Sequence, residues 1–331
     1  MPVDDLPRHG GDLAAATRRY GEPRAGWLDL STGVNPRPYP LPALDPACWT
    51  RLPDSAAETA LRRAAAAAFG SGGETVVVAA PGTQALIQWL PRLEPPSPSS
   101  TVAVLSPTYA EHAAAWAAAG HRVMDVAHLD AAPTADVVVV VTPNNPDGRI
   151  VPAGDLAATA ARTRLLVVDE AFADPLSAAA SPGPGGGRMV ALRSFGKFFG
   201  LPGLRLGFAL TDPVTAETLR AAMGPWPVAG PALAVATVAL ADRAWIEDTR
   251  RWLDGMAGRL DQALSAAGLE VVGGTPLFRL ARVPGNGASA LHDRLARRGI
   301  LVRAFTWSAD RLRFGLPADE AGLARLSAAL R

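Results

Sequence analysis

Short apolar runs bounded by turn residues recur along the first two-thirds of the chain. Thr75–Ala80, Thr101–Leu105, Arg122–Val126, Val137–Thr142, Leu165–Asp169, Met189–Ser194 and Leu204–Leu210 read as strands. Several are apolar at successive positions and not only at alternate ones, the pattern of strands buried on both faces of a mostly parallel sheet. Thr83–Leu90, Ala110–Ala119 and Ala153–Arg162 lie between them and read as helices. That alternation predicts an α/β sheet of seven strands with crossover helices. Past about Pro225 the pattern changes. A helical stretch from roughly Pro231 to Ala267 leads into strand-like Glu270–Val272 and Leu277–Ala281, a helix near Ala288–Arg298, short strands at Leu301–Arg303 and Leu312–Gly315, and a last helix from Ala318. This predicts a smaller α+β domain. Pro-rich Pro91–Ser99 and Gly-rich Ser181–Gly187 read as surface loops, and no internal repeat is visible. The expected layout is an N-terminal segment 1–36, a large domain 37–228 and a small domain 229–331.

Composition narrows the class. A chain of 331 residues corresponds to roughly two domains. With 49% hydrophobic and 19% charged residues it has material for a large core, which excludes a disordered chain. The net charge is +1 and no basic stripe is visible, which argues against a nucleic-acid partner. The single cysteine, Cys48, excludes an intrachain disulfide and a cysteine-based metal site. His9, His112, His121, His128 and His292 lack metal-ligand spacing, so no metal is expected. Met1–Asp12 is polar and has no signal-peptide apolar region, and Val137–Val141, the longest aliphatic run, is too short to span a bilayer. A cytoplasmic protein with no membrane partner is expected.

The basic residues are unevenly chosen. Of the 32 Lys and Arg side chains only Lys197 is a lysine. A GC-rich codon bias accounts for the arginines but not for the exception. Arginine replaces lysine as a solvated charge, but not where an amine must lose its proton or form a covalent bond.

Familiar phosphate motifs fail in this chain. Gly183–Gly187 does not follow a strand that ends at the loop, so the dinucleotide fingerprint lacks its context. Gly196-Lys197 resembles a P-loop only superficially. The glycine needed five positions earlier is Ala191, and Phe198 stands where Ser or Thr is required. No G-x-S-x-G nucleophile elbow is present. What remains is a series of polar residues at or just beyond strand C-termini, the edge where open α/β sheets bind ligands. In order these are Gly82-Thr83-Gln84, Pro107-Thr108-Tyr109, Thr142 to Gly148 with Asn144 and Asn145, Asp169-Glu170, and Ser194-Phe195-Gly196-Lys197 followed by Arg205. Backbone amides at Gly82–Gln84 suit an anion, or simply open a helix as an ordinary N-cap. Tyr109 could stack on a ring or simply pack. An ionised Asp169 at the end of a buried strand needs a partner, either a protonated ring nitrogen, a helix N–H or an arginine.

The series, in this order, resembles the fold-type I pyridoxal-phosphate enzymes, the aspartate aminotransferase superfamily, over most of the chain. The resemblance implies pyridoxal 5'-phosphate as cofactor and a dimer of identical chains. It implies that Lys197 bonds the cofactor aldehyde, that Gly82, Thr83, Gln84, Ser194 and Arg205 hold its phosphate, and that Tyr109 stacks on its ring. Asn145 would meet the ring hydroxyl and Asp169 the ring nitrogen, keeping it protonated. Arg313, in Arg311-Leu312-Arg313-Phe314-Gly315, resembles the family arginine that forks onto the substrate α-carboxylate. Two positions depart from many relatives. Phe172 and Leu52 stand where those relatives carry tyrosines that touch the ring hydroxyl and the neighbouring subunit's cofactor phosphate. Both losses weigh against simple transamination.

Within the superfamily, His9-Gly10-Gly11-Asp12 and Leu28-Asp29-Leu30-Ser31-Thr32-Gly33-Val34-Asn35-Pro36 resemble the threonine-phosphate decarboxylases of cobalamin biosynthesis. So do Asp169 to Asp174 and Phe198 to Gly203. That resemblance implies a phosphorylated amino acid substrate, L-threonine O-3-phosphate, decarboxylated to (R)-1-amino-2-propanol O-2-phosphate. His9, Gly10, Gly11, Ser31, Thr32, Gly33, Asn35, Asn145, Arg303 and Arg313 would bind it. Residues 1–36 would be an arm and substrate lid, and 37–228 the cofactor domain. The alternatives are a histidinol-phosphate-type aminotransferase, with the same fold and cofactor, and a binding protein that keeps the fold without catalysis.

Overall fold

The computed structural model describes residues 9–71, 75–97, 100–131, 134–174, 176 and 188–331. The expected loop Ser181–Gly187 and positions 98 and 99 of the Pro-rich loop lie outside the described residues. In chain order the strands are β1 Leu28–Leu30, β2 Val76–Ala80, β3 Thr101–Leu105, β4 Arg122–Val126, β5 Val137–Val141 and β6 Leu165–Asp169. They continue as β7 Met189–Ser194, β8 Gly207–Thr211, β9 Glu270–Thr275, β10 Phe278–Arg282, β11 Ile300–Phe305 and β12 Ser308–Gly315. The helices are α1 Leu13–Tyr20, α2 Ala47–Thr50, α3 Ser55–Phe69, α4 Thr83–Trp89, α5 Glu111–Ala118 and α6 Ala153–Arg162. After them come α7 Phe195–Phe198, α8 Pro213–Met223, α9 Gly230–Ala241, α10 Arg243–Ala266, α11 Ala288–Arg297 and α12 Glu320–Leu330. Among the described residues no helix is long and apolar enough to cross a membrane.

The chain forms two compact units. The larger comprises Pro38–Asn145 and Arg149–Ile246. Its seven-stranded sheet runs β2-β8-β7-β6-β5-β3-β4. All strands are parallel except β8, which is antiparallel to both neighbours. β5 and β6 are buried at every position, which is why they read as unbroken apolar runs. Leu86, Ile87, Trp116 and Leu219, from α4, α5 and α8, belong to the core on one face. Leu156 and Ala160 of α6 belong to the core on the other.

Three sequence expectations change here. The strand expected over Leu204–Leu210 begins only at Gly207, because Pro202–Leu204 forms a 3₁₀ turn and Arg205 is left-handed at φ 50°. α3 was not expected. Asp54 caps it by accepting from the Ala57 N–H at 2.7 Å, and Gly70 ends it in the left-handed region. The long helical stretch is two helices broken at Asp242. The Asp242 carboxylate accepts from the Trp245 N–H at 3.0 Å and from the Tyr39 hydroxyl at 3.1 Å, so it caps the second helix. α9 packs on α3 and groups with the larger unit, and the division between the two units falls inside α10.

The smaller unit comprises Met1–Arg37, Pro146–Gly148 and Glu247–Arg331. Its five-stranded sheet runs β1-β11-β12-β10-β9. β1 pairs in parallel with β11 and the other pairs are antiparallel. The segment before residue 37 thus contributes a strand to this sheet. It also contributes α1, which Asp12 caps by accepting from the Ala15 N–H at 2.8 Å.

Candidate active site

Sheet register gathers five polar positions at one edge of the larger unit. Val141 pairs with Asp169, Asp169 with Leu192, Ser194 with Gly207, and Ala80 with Gly207. Because β8 runs backwards, its first residue meets the last residues of β2 and β7. The turn after β2, the loop after β5, Asp169, Ser194 and the turn before β8 therefore share that edge.

The Gly82 turn is built for close approach. Gly82 sits at φ +85°, and a Cβ there would lie 3.0 Å from the Arg205 guanidinium. A Cβ on Gly207 would lie 2.5 Å from the Thr83 nitrogen. Two glycines thus let a guanidinium and backbone amides converge where side chains would fill the space. Arg205 reaches this position from a left-handed backbone, a conformation that costs a non-glycine residue on the order of 1 kcal/mol.

The loops after β3 and β5 are tied together by one of the paired asparagines. Asn144 is fully buried. Its Nδ2 donates to the Pro107 carbonyl at 2.9 Å, and its Oδ1 accepts from the Thr108 hydroxyl at 2.6 Å. Asn145 is half-buried beside it. Tyr109 donates its hydroxyl to Gln84 Oε1 at 3.2 Å, and Gln84 Nε2 donates to Glu111 at 3.2 Å. The Gln84 side chain therefore orients the tyrosine.

Asp169 is 3% exposed and carries two partners. One oxygen accepts the Ala171 N–H at 2.9 Å, and the other lies 2.9 Å from His112 Nε2. His112 is fully buried, and because a carboxylate oxygen only accepts, its Nε2 donates to Asp169. Sequence reading missed His112, having tested the histidines only for metal spacing. The available signal was its position one helical turn after Tyr109.

Lys197 lies in the single turn α7, directly after β7. Its Nζ is 5.7 Å from the centre of the Phe172 ring. The turn is pinned by stacked aromatics, with Phe195 and Phe199 ring centres at 4.4 Å and Phe199 and Trp245 at 5.5 Å. Gly196 leaves no room for a side chain, since a Cβ would lie 2.7 Å from Pro202 Cα. Behind the edge, buried Arg193 bridges Glu170 at 2.9 Å and Asp174 at 3.1 Å.

The smaller unit carries the remaining candidates. His9 is exposed, and Gly10 and Gly11 follow it. The Gly11 N–H donates to Ser31 Oγ at 2.8 Å. The Ser31 hydroxyl and N–H both donate to Asp29 Oδ1, at 2.6 and 2.8 Å. Arg313 Nη2 donates to the Ser31 carbonyl at 2.9 Å. Arg313 pairs across the ladder with Arg303, so two guanidinium stems leave the sheet side by side. Burial first, and Arg303 second, push Arg313 down to about 9, while Asp29 opposes them. Thr32 and Gly33 follow Ser31, and buried Asn35 accepts the Arg37 N–H at 3.0 Å through its own side chain.

A family model described as aminotransferase class I and II matches residues 34–330. Threonine-phosphate decarboxylase of Pseudomonas aeruginosa is 47% identical, over 97% of this chain and 96% of its own. The protein of that name from Sinorhizobium sp is 44% identical, over 97% of each chain. Among solved structures, histidinol-phosphate aminotransferase from Sinorhizobium meliloti in complex with pyridoxal-5'-phosphate superposes with a TM-score of 0.82 at 23% identity, covering 100% of this chain and 96% of that one.

Proposed function

The chain belongs to the class I and II aminotransferase family, and on that premise we propose that it is a pyridoxal 5'-phosphate-dependent lyase. It decarboxylates L-threonine O-3-phosphate to (R)-1-amino-2-propanol O-2-phosphate in cobalamin biosynthesis. The observation that carries the substrate is the near full-length identity to two threonine-phosphate decarboxylases.

The residues of the larger unit fit the cofactor. The glycine-lined cradle of Gly82, Thr83 and Arg205, with Ser194 beside it, suits a phosphate. Buried Asp169 suits a ring N–H, and His112 holds that carboxylate in place. Tyr109 would cover the ring and Asn145 would meet its hydroxyl. Lys197 is the amine that holds the aldehyde. Bound pyridoxal phosphate supplies an electron sink for the pair left on Cα when a bond there breaks. Arg313 would grip the α-carboxylate and so fix which Cα bond is set to break. Arg303, Ser31, Thr32, Gly33, Asn35 and the His9–Gly11 arm would take the substrate phosphate. The carboxylate leaves as CO2, and Lys197 Nζ returns a proton to Cα. Phe172 and Leu52 remove two contacts that many transaminating relatives make, which favours decarboxylation.

A cytoplasmic location and a homodimer belong to the same reading. Leu41, Trp49, Leu52, Trp226 and Val238 are exposed apolar side chains of the larger unit, as a second copy would require.

The test is direct. The purified protein with cofactor should release CO2 from L-threonine O-3-phosphate, and borohydride should attach the cofactor to Lys197 alone. Lys197→Arg should lose labelling and turnover together. Amino transfer from histidinol phosphate to 2-oxoglutarate without CO2 release would overturn the assignment in favour of an aminotransferase. Absence of visible absorbance after adding cofactor would point to a silent binding protein.

A further inference from the structure

We propose that Asp29 is a positioning residue that presets the N-terminal arm and the Arg303–Arg313 pair for a substrate carrying both a phosphate and a carboxylate. The inference rests on the substrate reading above. It concerns a residue that does not itself touch substrate.

The argument begins with the Ser31 hydroxyl. It has one proton and donates it to Asp29 Oδ1 at 2.6 Å. That donation turns an oxygen lone pair toward the Gly11 N–H, which donates to it at 2.8 Å. The Ser31 hydroxyl thereby holds the arm in place before substrate binds. The arm fits there only as bare backbone. A Cβ on Gly10 would lie 2.3 Å from the Ser31 carbonyl oxygen, and Gly11 is at φ +88°. The same carbonyl accepts Arg313 Nη2 at 2.9 Å. Ser31 is therefore one node with three spokes, to the arm, to Arg313 and to Asp29. Asp29 sets the rotamer of that node, because it receives both the Ser31 hydroxyl and the Ser31 N–H.

Charge points the same way. Arg303 and Arg313 are directly opposed on β11 and β12, an arrangement that repels in the absence of an anion. Asp29 is the carboxylate that counters this repulsion at Arg313. Its carboxylate therefore offsets, at Arg313, the repulsion between the paired guanidiniums before substrate arrives.

A positioning role and a plain charge effect differ in sign. If Asp29 merely placed a negative charge near an anion site, Asp29→Asn would tighten binding of an anionic substrate. If it positions the arm and the pair, Asp29→Asn weakens binding. The experiment uses the holoenzyme. In the absence of substrate, amide hydrogen exchange over residues 9–20 should quicken about tenfold in Asp29→Asn, with β7 amides unchanged. With threonine phosphate, KM should rise about tenfold while kcat stays within about threefold. Ser31→Ala keeps the charge and removes only the hydroxyl. It should quicken arm exchange equally, and it carries the test if Asp29→Asn does not fold. Unchanged arm exchange in both variants, or a lower KM in Asp29→Asn, would overturn the proposal. Exchange is read without substrate, so its outcome stands even if the wild-type protein proves inactive on threonine phosphate. That inactivity would overturn only the substrate reading.

Discussion

At the scale of single residues, Arg313 makes the sharpest forecast. Its guanidinium is charged at neutral pH and loses that charge as pH rises through about 9, because burial and Arg303 disfavour the cation more than Asp29 supports it. Affinity for a carboxylate should therefore fall above that pH. The substrate amine titrates in the same range, so the probe should be a phosphorylated 2-hydroxy acid, which lacks it. Its inhibition constant should be flat to about pH 8.5 and rise severalfold by about pH 10. The stability effect of this group has the opposite sign. Above about 9 the unfolded chain still holds a proton that the folded chain has released, so this residue makes stability increase with pH there. Weaker inhibition with an undiminished melting temperature would support the assignment, and an inhibition constant independent of pH would remove it. Arg313 was legible from the sequence as a resemblance. Asp29 and His112 were not, because their partners, Ser31 with its arm and Asp169, become neighbours only through turns and tertiary contacts.

At the scale of elements, the sheet edge was readable because buried parallel strands are apolar on both faces and end abruptly at polar residues. Val137–Val141 and Leu165–Asp169 need no tertiary information to be recognised. The break at Asp242 was hidden, since aspartate is tolerated in helices and becomes a cap only through the Trp245 N–H and the Tyr39 hydroxyl. α3 was hidden in an alanine-rich run whose apolar face is weakly marked. What joins β6 to β7 behind the site is also tertiary. Arg193 bridges Glu170 and Asp174 with side chains 5%, 4% and 10% exposed. Removing one partner of a buried ion pair typically costs about 3–5 kcal/mol. Arg193→Met should therefore lower the melting midpoint by roughly 10 °C. Adding Glu170→Gln should recover part of that loss by removing one of the buried charges that the arginine countered. A double variant no more stable than the single one would show that the cluster is not held by charge pairing.

At the scale of the whole molecule, the exposed apolar side chains need an explanation. Trp49 is 70% exposed on α2, Leu52 follows it at 67%, and Val238 on α9 is 51% exposed. α2 packs on α9, so these residues belong to one region of the larger unit. Water contact with large apolar side chains is unfavourable by about 25 cal/mol per Å² of surface left uncovered, and isolated proteins seldom keep such groups together. A second copy of the chain would cover them at no cost in new sequence, and symmetry would then repeat every favourable contact twice. The measurement is the mass in solution. Sedimentation at micromolar concentration should give twice the chain mass of 34.3 kDa. Trp49→Glu places a charge in the region to be buried and should shift the protein toward monomer, with a melting temperature that no longer depends on concentration. Cofactor absorbance in that variant then separates two roles for the contact. Retained absorbance with monomeric mass would show that the Gly82–Arg205 cradle and Lys197 bind the cofactor within one chain. A wild-type monomer at micromolar concentration would mean that the apolar region serves something other than self-association.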